Sequence, residues 1–380
     1  MENVEVIRPA GMPLNRVHGE YASLTPEQVR DRALNKLNEY IENGRRQAAV
    51  AVAKIMGEEI QDRVLPAHML RFAASEQGPK GLLLRVGQAG YEMADHALDQ
   101  AANRLGFATR TLHDFAARGD WGRELAAHNL NELAAHAAED DAYLIRRVGT
   151  QVRGVLSNSY KPEDGRPAID ALLGVARDVG ALVVGGTALD TKVSIKIIHA
   201  KPVELFPGEW AVFGADYRTS DFGDGARELC GWILRLLCLN GATVTTSFRK
   251  VHLGARIHDE VEYSAKTRRL NNDASASAAR DMGRALLGPV QIDKLVQQVR
   301  ANHAAGVSPD QIKAELKKAV NKEDEKAIIE AFNSPDVEMM PAGQNRWRFS
   351  NAISFIAGQK DDDRARLDLE RLAGDVLKAA

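Results

Sequence analysis

The chain has 380 residues, 44% of them hydrophobic and 27% charged, with a formal net charge of -2 at pH 7. That composition supports a sizeable core and excludes a wholly disordered chain, while the near-neutral balance excludes a uniformly basic coat for nucleic acid. Any site for a polyanion must therefore be local.

Residues 1–23 have no apolar periodicity and are expected to form a flexible amino-terminal arm. Thr25 followed by Pro26 and Glu27 is a helix-start signal, and Val29, Leu34, Leu37 and Ile41 recur at helical spacing after it. Gly44 is expected to interrupt this helix, and the small-residue run AAVAVAKIMGEEI to resume it as a stripe suited to close packing. In 69–86 the runs MLRFA and GLLLRV flank the turn-forming EQGPK, which predicts a hairpin. Helices are predicted over 91–105, 109–117 and 121–138. His96, His113, His128 and His136 fall in this region without metal-ligand spacing, so they read as structural histidines.

The core is expected in 142–270. Residues 142–148 and 151–156 read as paired strands around a Gly-Thr turn, and 166–178 as a helix. Strands follow over 180–185, 192–199 and 210–217, the middle one alternating as KVSIKIIH. Leu229, Trp232, Ile233, Leu236 and Leu237 then fit the apolar face of a helix over 225–238. A β-β-β-α unit results, with that helix lying across an antiparallel sheet. Asn240-Gly241 ends the helix and admits a strand pair, ATVTTSF and KVHLGAR. From 273 onward the chain reads as helical, with a start signal at Ser308-Pro309-Asp310-Gln311, a Met-containing irregular stretch at 335–341, a buried helix in RWRFSNAISFIAGQ and an amphipathic helix after Asp361, Asp362 and Asp363. The fold class expected is α+β, a central antiparallel sheet flanked by helical regions. The division is 1–23 arm, 24–141 mainly helical with a hairpin, 142–270 α+β core and 271–380 helical.

The only cysteines, Cys230 and Cys238, lie eight residues apart and make neither a zinc framework nor an easy disulfide, so they read as packing thiols of a reducing compartment. No apolar run reaches the roughly 20 residues of a membrane span. A cytoplasmic protein without a membrane partner is the expectation.

Several phrases in colinear order, MADHALDQAANRLGF, RGVLSNSYKPEDGRPAIDAL, FRKVHLGARIHDEV, NAISFIAG and LERLAGDVL, resemble the phage and plasmid "domain of unknown function 932" family. The resemblance covers about 91–377. It implies a mobile-element protein of a bacterial host cell and carries over no catalytic residue.

Two groups of cations stand out. Arg146, Arg147, Arg153, Lys161 and Arg166 surround the first strand pair, and Arg249, Lys250, Arg256, Lys266, Arg268 and Arg269 follow the Asn-Gly turn. On adjacent strands such side chains could track a phosphate backbone, with Tyr160, Phe248 and Tyr263 offering stacking surfaces to unpaired bases. The same residues also suit ordinary solvated strand faces. Asp216, Asp221 and Asp224 are candidate oxygen ligands for a divalent metal, although Asp and Gly at these positions equally suit turns and a helix start. No phosphate-cradling, dinucleotide or nucleophile-elbow motif is present, so no catalytic residue and no cofactor are expected. The reading that results is a non-enzymatic, homo-oligomeric binder of single-stranded nucleic acid acting in recombination or replication. The alternative is a structural or protein-interaction module acting on a host or phage factor.

Overall fold

Thr25 caps the first helix, α1 (Pro26–Gly57), with a reciprocal pair of bonds: the Gln28 amide donates to Thr25 Oγ1 at 3.2 Å and the Thr25 amide to Gln28 Oε1 at 2.8 Å. The helix runs through Gly44 without a break, contrary to expectation. Gly44 is buried, and a Cβ there would stand 1.8 Å from the carbonyl oxygen of Val184, so the glycine serves close approach of helix to strand. The computed structural model describes residues 24–76, 80–158, 160, 162, 164–244, 249–250, 264–334 and 340–378. The arm 1–23, Lys161, Arg256, Phe248, Tyr263, most of the segment KVHLGAR and residues 335–339 lie outside these.

The chain next builds a six-stranded sheet from β1 (Ile60–Pro66), β2 (Arg71–Ala74), β3 (Leu82–Val86), β4 (Ala89–Met93), β5 (Ala142–Val148) and β6 (Gln151–Ser157) in the order β1-β5-β6-β4-β3-β2. The expected hairpin is β2 and β3, and the expected strand pair is β5 and β6. Strand β1 escaped the sequence reading because Gln61, Asp62 and Arg63 give it no apolar alternation. Between β4 and β5 come α2 (Asp95–Arg104), α3 (Thr109–Ala116) and α4 (Asp120–Ala135). Ala97, Leu98, Ala101, Ala126, Leu130 and Ala134 pack against Leu82, Leu84, Met93, Ile145 and Val152 in one apolar cluster. Because β5 pairs β1 along its length, and β6 pairs β4, the sheets do not follow the division expected at 141/142.

After α5 (Arg166–Asp178), a second sheet takes β7 (Leu182–Ala188), β8 (Val193–Ile198), β10 (Glu209–Thr219), β11 (Arg227–Arg235) and β12 (Asn240–Val244) in the order β12-β11-β10-β8-β7. Short β9 (Val203–Phe206) pairs β10, and β13 (Arg249–Lys250) pairs β11. Here the expected helix over 225–238 is corrected. The segment is β11, paired to β10 on one side and β12 on the other, with all nine residues buried. Its apolar run is continuous because both faces are covered, and such a run carries no period to separate strand from helix. Trp232 faces the first half of α1, while Ile233 on the opposite face joins the carboxy-terminal helices. The α+β class stands, and α5 is among the helices that pack on this sheet.

Helix α6 (Ala265–Leu286) lies beside α5, and both cover Ile195, Ile197, Ala215 and Tyr217. Helices α7 (Pro289–Ala304), α8 (Pro309–Leu316), α9 (Lys322–Asn333), α10 (Arg346–Gly358) and α11 (Asp363–Val376) close the end near β9 and β12 around Trp347, Phe349 and Ile353. Ser308, at the expected helix start, forms a capping box with Gln311, and Asp362 caps α11. Helix α1 begins on one face of the second sheet, with Val29, Ala33 and Leu37, and ends on the other, with Ile55. It thereby covers the edge strand β7, which would otherwise offer unpaired backbone groups. Among the described residues no helix is long and apolar enough to cross a membrane.

Candidate nucleic-acid interface

Successive residues of a strand point to opposite faces, so Arg146 and Arg147 part company. Arg146 is 3% exposed and turns inward, with Nε 2.8 Å from Asp62 Oδ1 and Nη1 donating to the Asp221 carbonyl. Burial opposes its charge, but Asp62 and Asp221 outweigh that and hold the guanidinium above its ordinary pKa. Arg153 is also buried, donating to Glu58 Oε2 at 2.8 Å and Gln151 Oε1 at 2.9 Å. Both stand over the ring of Phe222, at 5.9 and 5.8 Å from its centroid. These two arginines hold the sheets together and line no open groove.

The seam they form is built on residues 221 and 222. Gln100 Nε2 donates to the Phe222 carbonyl at 3.0 Å, and His96 Nε2 lies 3.3 Å from the same oxygen. The Gly165 amide donates to Asp221 Oδ2 at 3.0 Å, while Asp221 Oδ1 is buried and has no hydrogen-bond partner among the described residues. Burial pushes the Asp221 carboxyl above the usual carboxylate range, and Arg146 and the Gly165 amide offset it only in part. Burial likewise holds His96 below the ordinary imidazole value.

The three aspartates considered as metal ligands are each held by protein partners. Asp216 is 0% exposed, accepts from Ser194 Oγ at 2.7 Å, Arg218 Nε at 2.7 Å and Thr243 Oγ1 at 2.9 Å, and points to the face of the sheet opposite Tyr217. Although burial acts to raise it, Arg218 and Lys196 hold its carboxyl below the usual range. Asp224 accepts from Thr191 Oγ1 at 2.6 Å and pairs with Arg364 and Lys192. Among the described residues no group of three or more His, Cys, Asp or Glu side chains is placed to hold a metal ion. His113 pairs with Asp99 at 2.6 Å and His136 Nδ1 lies 2.9 Å from the Glu132 carbonyl, in line with structural roles.

The remaining cations converge in part. Arg166 is held against Asp164, its Nη2 2.5 Å from Oδ2, and donates to the Glu58 carbonyl at 2.9 Å. The Asp164 amide donates to Asn272 Oδ1 of α6 at 3.3 Å, and its carbonyl accepts from Arg227 Nη2 at 3.2 Å. Arg227 in turn is the register partner of Lys250 on β13, as Glu228 is of Arg249. The corner at Asp164 thus links Arg166, alone of the first basic group, to α6 and to the strand that pairs β13.

Lys266, Arg268 and Arg269 occupy the first turns of α6, one to two turns before Asn272, and all three are exposed. Ser264 caps the helix, accepting from the Thr267 amide at 3.2 Å. No acidic residue lies in the first turn, and among the described residues no carboxylate pairs with any of the three. Cations crowd the end where the helix dipole is positive, an arrangement that costs stability unless an anion is bound. Arg147, on the outer face of the first sheet, stacks on Tyr91 at 4.7 Å from the ring centroid. Tyr91 is not among the expected site residues, because 91–105 reads as one helix; the structure places it in β4 opposite Leu84.

No family model, curated protein or solved structure matches this chain.

Proposed function

We propose that the protein is a non-enzymatic binder of single-stranded nucleic acid, acting in annealing, recombination or replication of a phage or other mobile element. The observation that carries the reading is the exposed trio Lys266, Arg268 and Arg269 at the positive end of α6, without a carboxylate partner among the described residues, in the helix whose Asn272 bonds the Asp164 corner that holds Arg166. Such a cluster on a chain of net charge -2 gives a local anion site without a global one. The family resemblance supports the mobile-element setting, and a homo-oligomer would line up successive copies of this site along one strand.

The test is anisotropy of labelled oligothymidylate with the full chain across a salt series. Replacing Lys266, Arg268 and Arg269 with Ala should weaken binding and reduce the salt slope by about 2, at roughly 0.7 per lost phosphate contact. Unchanged affinity in the triple variant would remove this site. The second reading, a protein-interaction module, is favoured by Trp121 at 57% and Leu125 at 37% exposure, which stand one turn apart on α4. It would stand if the intact chain failed to bind any oligonucleotide at low salt.

A further inference from the structure

At one end of the first sheet, Gln61, Arg63, Val86, Tyr91, Ile145 and Arg147 enclose a half-open cavity of about 180 Å³. We propose that this cavity is a nucleotide subsite, taking one unpaired base together with its phosphate.

The chemistry of its walls divides into two parts. Val86, Ile145 and the half-buried ring of Tyr91 give an apolar and aromatic surface for a flat heterocycle. The Arg147 guanidinium lies over that ring, with Nη1 bonded to the Gly149 carbonyl at 2.6 Å. That bond fixes the guanidinium plane, and a base can extend the stack on it as it would on an aromatic. Arg63 supplies the second part. It is exposed, and among the described residues no carboxylate pairs with it or with Arg147. Asp62 also borders the cavity, but its carboxylate is committed to Arg146, with Oδ1 2.8 Å from Nε. The pocket therefore joins two uncompensated cations to an apolar floor. Phosphate alone would leave the floor unused, and a neutral heterocycle would leave the cations unused. A base still paired in a duplex is stacked on both faces and cannot enter such a pocket, which selects single strands.

This inference rests on the nucleic-acid reading but uses none of the α6 residues, so the two fail separately. Calorimetry on the full chain would compare thymidine 5′-monophosphate, deoxyribose 5-phosphate and inorganic phosphate. The nucleotide should bind about tenfold more tightly than the base-less sugar phosphate, a ratio set by base stacking. Arg63→Ala, at an exposed position, should weaken the nucleotide roughly fivefold and leave the melting temperature unchanged. Arg147→Lys, which keeps the charge and loses the plane, should bring nucleotide and sugar phosphate to the same affinity, and Tyr91→Phe should retain the difference. The Lys266, Arg268 and Arg269 triple variant should bind the mononucleotide as the natural chain does. Equal binding of nucleotide and sugar phosphate by the natural chain, no nucleotide binding at millimolar concentration, or an unaffected Arg63→Ala variant would each overturn the subsite. Loss of oligonucleotide binding in the α6 variant with mononucleotide binding intact would support both sites.

Discussion

Lys196 and Glu370 meet inside the protein across 174 residues of chain, the ammonium 2.6 and 2.7 Å from the two carboxylate oxygens. Arg218 adds a contact to Glu370 at 3.3 Å and one to Asp216 at 2.7 Å, so two cations and two carboxylates balance on one face of the second sheet. Removing one member strands a buried charge, whereas removing a matched pair does not. Glu370→Ala should cost about 3–5 kcal/mol in urea unfolding. The double change Lys196→Met with Glu370→Leu should cost less than Glu370→Ala alone, and a larger loss would show that the pair stabilises beyond its own desolvation.

Asp216 and Asp221 predict opposite pH behaviour. The Asp221 carboxyl is raised in the fold, so the native state favours its proton. That contribution is fully present below the ordinary carboxylate value of about 4 and is lost as pH rises through the raised one. Asp221→Asn, which keeps an acceptor for the Gly165 amide, should therefore melt higher than the natural chain at pH 7, with the difference shrinking toward pH 4. Asp216 is lowered, so its stabilisation is present above the ordinary value and is lost as pH falls through the native one. Asp216→Asn should be destabilising at pH 7 and progressively less so in acid. Parallel pH–melting curves for the two variants would contradict at least one of the assignments.

Gly44→Ala sets two effects against each other. Alanine gains about 1 kcal/mol of helix propensity over glycine, yet its Cβ would stand 1.8 Å from a strand carbonyl in a buried contact. Overpacking of this kind costs about 1–3 kcal/mol or more, so steric cost wins and the variant should be less stable by roughly 1–2 kcal/mol. Gly57→Ala, in the same helix with nothing among the described residues outside that helix's backbone within 4 Å of its Cβ, is the control and should not be destabilising.

That glycine also shows where sequence reasoning reached its limit. Local signals gave α5, the β5–β6 pair and the buried α10 almost residue for residue, and the start of α8, because caps, turns and alternation act within a few positions. Gly44 looked like a helix break because its partner, Val184, is 140 residues away and invisible to local pattern. Strand β11 looked like a helix because burial on both faces erased its period. The candidate site was legible as a composition, basic residues near β5 and α6, but not as a surface. Carboxylates that neutralise Arg146 and Arg153, namely Asp62 and Glu58, come from the strand that went unread and from the turn before it.

The two thiols should differ in reactivity. Cys230 is 1% exposed on β11, and burial, with Asp216 and Glu228 nearby, pushes its thiol up to about 12. Cys238 is half-buried and accepts from Arg235 Nη1 at 3.2 Å. Iodoacetamide at pH 8 should label Cys238 in the native protein and reach Cys230 only on unfolding, read by intact mass. Double labelling of the folded chain would show that β11 opens.

The order in which this fold can be finished follows from the reach of its contacts. Strand β1 waits for β5, and the buried Lys196 of β8 waits for Glu370 in α11. During synthesis residue 370 must therefore leave the ribosome before Lys196 finds its carboxylate partner. Until then the second sheet has a half-dressed face, and folding is expected to be slow and to depend on protection of that nascent intermediate.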